Sequence, residues 1–253
     1  MSKSTPQTVY VVTGANRGIG LGLAKGLLSR PFLTVVATCR EPAVTSCNAE
    51  LAAAPTGEGS TFAVFALDPA TISSTAELRA RFVKETGLDR VDVLIANAGM
   101  ATSMGDAVDT TAEDLQSHFA VNTTAPLLTF QALWPLMQIV KVPKLFTISS
   151  SVGSIEIMEL SGGAYGPSKA ALNWLTKRLH VECEKEGLVS VAVHPGWVQT
   201  SNGEYAAKAW GYPGKPPLTV EQSIKGVLEV VDKAARDTTS GKFVSYDGQI
   251  LPW

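Results

Sequence analysis

A chain of 253 residues, 45% hydrophobic and 17% charged, carries enough apolar side chain for one large core. The net charge of −2 is built from scattered Lys, Arg, Asp and Glu, which argues against nucleic acid or a membrane surface as partner. Three cysteines, Cys39, Cys47 and Cys183, form no CxxC pair and point to reduced thiols in a cytoplasmic setting.

The N-terminal stretch MSKSTPQT is polar and has no apolar signal region, and no apolar run is long enough to span a bilayer. Residues 8–12 (TVYVV) read as a buried strand, and 19–29 (IGLGLAKGLLS) have helical period. A second strand is expected at 34–39 and a weak helix near NAELAAA. A third strand at 61–67 precedes a helix at 74–85, and a fourth strand lies at 91–97. A long helical region runs from about 111 to 137. Then come a strand at 144–150, a helix opening near Pro167 and a strand at 189–195. A helix at 220–234 and a strand at 242–246 close the chain. The strands are continuous apolar runs, as in strands buried on both faces. Their alternation with helices predicts a single α/β domain over residues 1–253: a doubly wound parallel sheet with helices on both faces. The segment GEYAAKAWGYPGKPPL, 203–218, is the main irregular insertion and suits a substrate lid.

Gly14, Gly18 and Gly20 fall in VVTGANRGIG, between the first strand and its helix, with Asn16, Arg17 and Ile19 among them. Glycine lets backbone approach a ligand closely, and the helix N-terminus offers free N–H groups to a pyrophosphate. Tyr165 and Lys169 are four residues apart in AYGPSKAALNWL, so they share one helical face. Pro167 between them fits a first helical turn, where its missing N–H costs nothing. An ammonium beside a phenol is expected to favour the phenolate, giving an acid–base group near neutral pH. The histidines His118, His180 and His194 lack partners at ligand spacing, so no metal site is expected.

The G-x-x-x-G-x-G spacing, with Thr13 ahead of it, resembles the cofactor loop of the short-chain dehydrogenase/reductases. Further matches follow in order: Asn97-Ala98-Gly99 after the fourth strand, Asn122 in FAVNTTAPLL, ISSSVG after the fifth strand, Tyr165 with Lys169, and HPGWVQT. They span residues 9–200. The resemblance implies a Rossmann-like domain of about seven strands. Most of the chain, including AYGPSKAALNWLTKRLHVE and SGKFVSYDGQILPW, is similar to fungal ketoreductases of the norsolorinic acid ketoreductase type. Sniffer-like and C-factor-like reductases are more distant.

The resemblance implies NADP(H)-dependent reduction of a small-molecule carbonyl compound. Tyr165 is the implied proton donor and Lys169 its tuning group and ribose ligand. Asn122 holds a relay water, or else only fills a kink before Pro126. Ser150 steadies the developing oxyanion, with Ser151 as the alternative. The implied cofactor residues are Gly14, Asn16, Arg17, Gly18, Ile19, Gly20, Asn97, Ala98, Gly99, Tyr165, Lys169, Pro195, Gly196, Val198 and Thr200. Where an NAD site carries an acid after the second strand, this chain has Arg40. With Arg17 it suits a 2′-phosphate. Asp68 is an adenine contact by resemblance, or a plain turn residue. Ser151, Met158, Tyr205 and Trp210 are the expected substrate contacts, from the bulge after the serines and from the lid. A homodimer or homotetramer is implied, since the helices around Asn122 and Tyr165 pair in family dimers. Rival readings are an imine or C=C reductase, a lyase on the same fold, or a nucleotide-sensing regulator.

Overall fold

Valine, isoleucine and phenylalanine dominate the runs expected to be strands. In the computed structural model, which describes residues 7–158 and 160–253, those runs lie side by side. Most of the N-terminal stretch judged free of a signal region falls outside the described residues. The strands are β1 (Thr8–Thr13), β2 (Leu33–Cys39), β3 (Thr61–Ala66), β4 (Val93–Ala96), β5 (Lys144–Ile148), β6 (Val189–His194), β7 (Phe243–Ser245) and β8 (Ile250–Leu251). Their order in the sheet is β3-β2-β1-β4-β5-β6-β7-β8. The first seven are parallel. β8 is one more than the resemblance implied and pairs antiparallel with β7. Two residues after a turn leave no apolar run to read.

The chain winds outward from β1 to β3, then returns to place β4 on the other side of β1. Val12 stands opposite Ala37 of β2 and Ile95 of β4, so the carboxyl ends of these strands share one edge. An open α/β sheet binds ligands where the strand order reverses in this way.

Helices cover both faces. Leu23 and Leu27 of α1 (Gly18–Leu28), Cys47 and Leu51 of α2 (Val44–Ala52), and Val227 and Val231 of α8 (Val220–Lys233) pack on one face with Val35, Ile95, Phe146 and Val191. The other face takes Leu78 and Phe82 of α3 (Thr75–Thr86) and Phe130, Leu133 and Met137 of α5 (Ala125–Met137), against Val11, Leu94 and Leu145. Each such side chain contributes about 1.5–3 kcal/mol when fully buried. Thr219 and Gln222 close a capping box that fixes where α8 begins.

Two expectations change in detail. The region 111–137 is not one helix. It is α4 (Ala112–Phe119), a π-helical turn (Ala120–Thr124) and α5. Pro126 lacks the N–H that Asn122, its i−4 acceptor, would receive, and the wider turn, in which the Ala125 N–H donates to the Ala120 carbonyl, sits just ahead of it. The segment expected to be an irregular lid also holds α7 (Ser201–Ala209). Thr200 caps it by accepting from the Gly203 N–H at 3.2 Å. Its alanines favour helix, and only the Gly- and Pro-rich remainder after Trp210 is irregular. α6 (Tyr165–Glu182) carries the tyrosine and lysine in its first two turns.

Candidate active site

One cavity of about 910 Å³ runs along the carboxyl edge of the sheet, from Arg40 and Asp68 to Tyr165 and Trp210. That is near the upper end for small-molecule clefts, ~300–1,000 Å³.

The glycine turn forms its near wall. Gly14 has φ +65°, and a Cβ there would fall 2.8 Å from the Ala98 Cα. A Cβ on Gly20 would meet the Gly14 carbonyl oxygen at 2.3 Å. Only glycine allows this path. Thr13 and Asn97 clamp it to β4: the Thr13 hydroxyl accepts from the Asn97 and Ala98 N–H groups at 3.0 and 2.9 Å. The Asn97 amide donates to the Thr13 carbonyl at 2.8 Å. Asn97 therefore positions the turn, although it also lines the cavity. Asn16, Arg17, Gly18, Ile19, Ala98 and Gly99 line it too.

At the far end, Arg40 lines the cavity, and both Arg17 and Arg40 are exposed. Neither forms an ion pair among the described residues. Asp68 lines the cavity and also performs the turn role, accepting from the Ala70 N–H at 3.0 Å. Pro195, Gly196, Val198 and Thr200 supply the opposite wall. Thr200 lies against the glycine turn, its Cγ2 3.2 Å from where a Gly18 Cβ would be. The glycine cradle, the open start of α1 and two unpaired guanidinium groups fit an extended, phosphate-rich dinucleotide.

At the other end, β5 delivers the serines and α6 the tyrosine. Ser149 points inward, its hydroxyl donating to the Lys169 carbonyl at 3.5 Å. Ser149, Ser150 and Ser151 all line the cavity, and the Ser150 hydroxyl is near enough to the Tyr165 phenol to favour its ionised form. Lys169 is 4% exposed. Its Nζ donates to the Ile148 carbonyl at 2.7 Å and lies 5.7 Å from the centre of the Tyr165 ring.

The expected lowering of the phenol by the ammonium is reversed in the chain. Burial pushes Tyr165 up to about 12, and the neighbouring Ser150 hydroxyl offsets only part of this. Burial also pushes Lys169 down to about 8. The ammonium sits over the ring and is committed to Ile148. The surroundings thus favour the neutral form of both groups.

Asn122 does not line the cavity. Its amide donates to the Met100 carbonyl and the Ser168 hydroxyl, both at 2.9 Å, and its Oδ1 accepts from the Met100 N–H at 2.8 Å. The side chain is spent on holding the strand end. A relay at this residue has to use its backbone carbonyl, which Pro126 has deprived of an α-helical donor. Gly99 lies between: a Cβ there would be 3.2 Å from Asn122 Oδ1 and 3.5 Å from Lys169 Nζ.

Of the four expected substrate contacts, Ser151 and Trp210 line the cavity, and Met158 and Tyr205 do not. Met158 and Ile155 are each 74% exposed. Their loop is drawn outward because the Ile155 and Glu156 N–H groups donate to the Trp253 carbonyl at 3.0 and 3.2 Å. Ser154 also donates to Pro252 at 3.0 Å. Tyr205 is a latch: its hydroxyl donates to the Thr102 carbonyl at 2.6 Å. Trp210 makes a second one, its Nε1 donating to the Ser161 carbonyl at 2.9 Å. Trp197 packs edge-on against Trp210, ring centres 5.5 Å apart, and donates to Gly203 at 3.0 Å. The 203–218 segment is thereby tied to the loops that hold Thr102 and Ser161. Sequence reading missed Ala101, Thr102 and Met104, which line this end. They directly follow the Asn97 motif at a strand's carboxyl end, and that position was the available signal.

The chain matches the short chain dehydrogenase family over residues 8–209. It is 39% identical to a short-chain dehydrogenase of Pyricularia oryzae, with 100% of both chains covered. It is 37% identical to the norsolorinic acid ketoreductase of Aspergillus parasiticus, covering 98% of this chain and 92% of that one. Among solved structures, NADPH-bound carbonyl reductase from chicken fatty liver superposes with a TM-score of 0.82. It is 29% identical, with 98% of this chain and 100% of that chain covered.

The buried lysine makes a measurable claim. Its unfolded value is 10.5 and its folded value about 8, so between these the unfolded chain binds the extra proton. Stability contributed at this site rises as pH rises through that window. Relative to Lys169→Met, wild type should gain ~2–3 kcal/mol between pH 7 and pH 10 in urea unfolding. Parallel pH curves for the two proteins would contradict it.

Proposed function

Because the chain belongs to the short-chain dehydrogenase family, we propose that it is an NADPH-dependent ketoreductase that converts an apolar or aromatic ketone to a secondary alcohol. The observation that carries this reading is the convergence of Tyr165, Lys169 and Ser150 in one cavity built on a glycine cradle. The glycine turn with Thr200 would hold the pyrophosphate, Arg17 and Arg40 the 2′-phosphate, and Asp68 the adenine end. Lys169 would reach the nicotinamide ribose. When bound, the reduced nicotinamide supplies the hydride.

The chain's own residues supply the rest. Ser150 donates a hydrogen bond where negative charge develops on the carbonyl oxygen. Tyr165 gives that oxygen its proton. A donor must start protonated, and burial keeps this phenol so at neutral pH. Lys169, charged below about 8, compensates the phenolate left behind, and the backbone carbonyl of Asn122 holds the water that returns the proton.

Ala101, Met104, Val152, Leu160, Ala206 and Trp210 surround the substrate end without a cationic side chain among them, which suits a medium-sized apolar or aryl ketone. Residues 203–218, with the start of α7, form the lid of a single domain. The setting we infer is cytoplasmic, in keeping with three free, buried thiols. No helix among the described residues is long and apolar enough to cross a membrane. A homodimer or homotetramer would cover Trp174 and Val181, which lie on one face of α6 at 64% and 52% exposure. Light scattering should give a mass of two or four chains; a monomer would remove this part of the reading.

Mixing protein, NADPH and a panel of carbonyl compounds while following absorbance of the reduced cofactor tests the chemistry. A bulky aryl ketone should be turned over with higher kcat/KM than a short keto acid. Tyr165→Phe should lower kcat by at least about a hundredfold with cofactor affinity retained. Near-normal turnover in that variant would reject the assignment.

Cofactor choice is tested separately. Arg40→Asp sets a carboxylate against a phosphate and forfeits a charge-assisted contact of about 1.5–3 kcal/mol. Preference should move toward NADH by roughly tenfold or more. A wild type that already favours NADH would remove the arginine argument.

A further inference from the structure

His194 ends β6 and lines the cavity beside the serines. Its backbone is held from two sides: it pairs with Ser245 in the sheet, and its carbonyl accepts from the Tyr246 N–H at 2.8 Å. The ring reaches the turn after β5, where Nδ1 accepts from the Ser151 N–H at 3.1 Å. The N–H groups of Ser149, Val152 and Gly153 have other partners. Ser149 donates to Val193 at 2.8 Å and Gly153 to the Ser150 carbonyl at 3.0 Å. Val152 donates to the Ser150 hydroxyl at 3.3 Å. The imidazole is the acceptor found for the Ser151 N–H, and that N–H belongs to the peptide joining Ser150 to Ser151.

We propose that His194 is a positioning residue for the reaction, fixing the peptide after Ser150 so that the Ser150 hydroxyl stays turned to the part of the cavity that Tyr165 also lines. This rests on the ketoreductase reading above. Ser150 is extended, at φ −157° and ψ 147°, and a tight turn follows at once. Rotation of the freed peptide would swing its hydroxyl off the reacting oxygen, and small misplacements of a donor are costly. An acceptor at Nδ1 requires the Nε2–H tautomer. Burial holds the ring neutral by pushing it down to about 4, against the pull of Asp247. The acceptor therefore persists at neutral pH.

The test uses His194→Phe, which keeps a ring without an acceptor, and His194→Asn, whose Oδ1 takes the place of Nδ1. Each is made in wild type and in Ser150→Ala. His194→Phe should lower kcat for an aryl ketone by about tenfold or more, with NADPH affinity changed less than about twofold. His194→Asn should recover most of the loss. In the Ser150→Ala background, His194→Phe should add less than about twofold, since two residues acting through one contact are not additive. Equal losses in both backgrounds, no recovery by asparagine, or full activity of the phenylalanine variant would each overturn the assignment. Imidazole nitrogen NMR of wild type decides independently of whether the variants fold. The Nε2–H tautomer with slow exchange at the Ser151 amide is expected, and an Nδ1–H tautomer overturns the proposal. A wild type that reduces no ketone yet shows this tautomer and protection defeats the activity reading, not the contact.

Discussion

Everything in this molecule that can do chemistry depends on the place where β1 and β4 lie side by side and the chain departs from them in opposite directions. Two parallel strands whose connections diverge leave a crevice at their carboxyl ends. Polar backbone ends crowd that crevice and need partners. Thr13 and Asn97 supply them, tying the two strand ends together through four hydrogen bonds. The glycine turn is then a rigid wall rather than a mobile loop. The walls from β5 and β6 are registered against it through the same sheet.

Burial around Tyr165 and Lys169 sets the electrostatics of that end of the cavity. A phenol and an amine withdrawn from water each resist ionisation. Both shifts run toward the neutral form: the phenol stays protonated, and the amine, held at about 8, keeps its charge near neutrality by a narrow margin. The Ile148 carbonyl compensates that charge in place of water. The cost of a buried cation is the reason the lysine has a dedicated acceptor and is not left to solvent.

The sequence made legible what local pattern carries. The glycine spacing, the tyrosine–lysine pair and the apolar strand runs each lie within one or two elements. The parallel sheet and the membership of the glycine wall follow from them. Contacts between distant segments stayed hidden. Met158 was placed in the pocket because its loop follows the serines, but its loop leans toward Pro252 and Trp253, nearly a hundred residues on. Tyr205 was read as a substrate contact because it is aromatic and near the lid, whereas its hydroxyl found Thr102. The direction of the phenol's shift was misjudged because spacing along a helix gives proximity but not desolvation. His194 was weighed only as a metal ligand, and nothing near it in the sequence announces a backbone amide across the sheet.

The lid's fastenings share a property of wider consequence. Tyr205, Trp210 and Trp197 each donate to a main-chain carbonyl, at Thr102, Ser161 and Gly203. A carbonyl acceptor is indifferent to the side chain it belongs to. Apart from Trp210, residues lining that end of the cavity can therefore be exchanged, by drift or by deliberate recombination, without unfastening the segment over them. In such a scaffold pocket shape and closure are separately inherited, and the same three aromatic donors can serve a succession of differently shaped ligands.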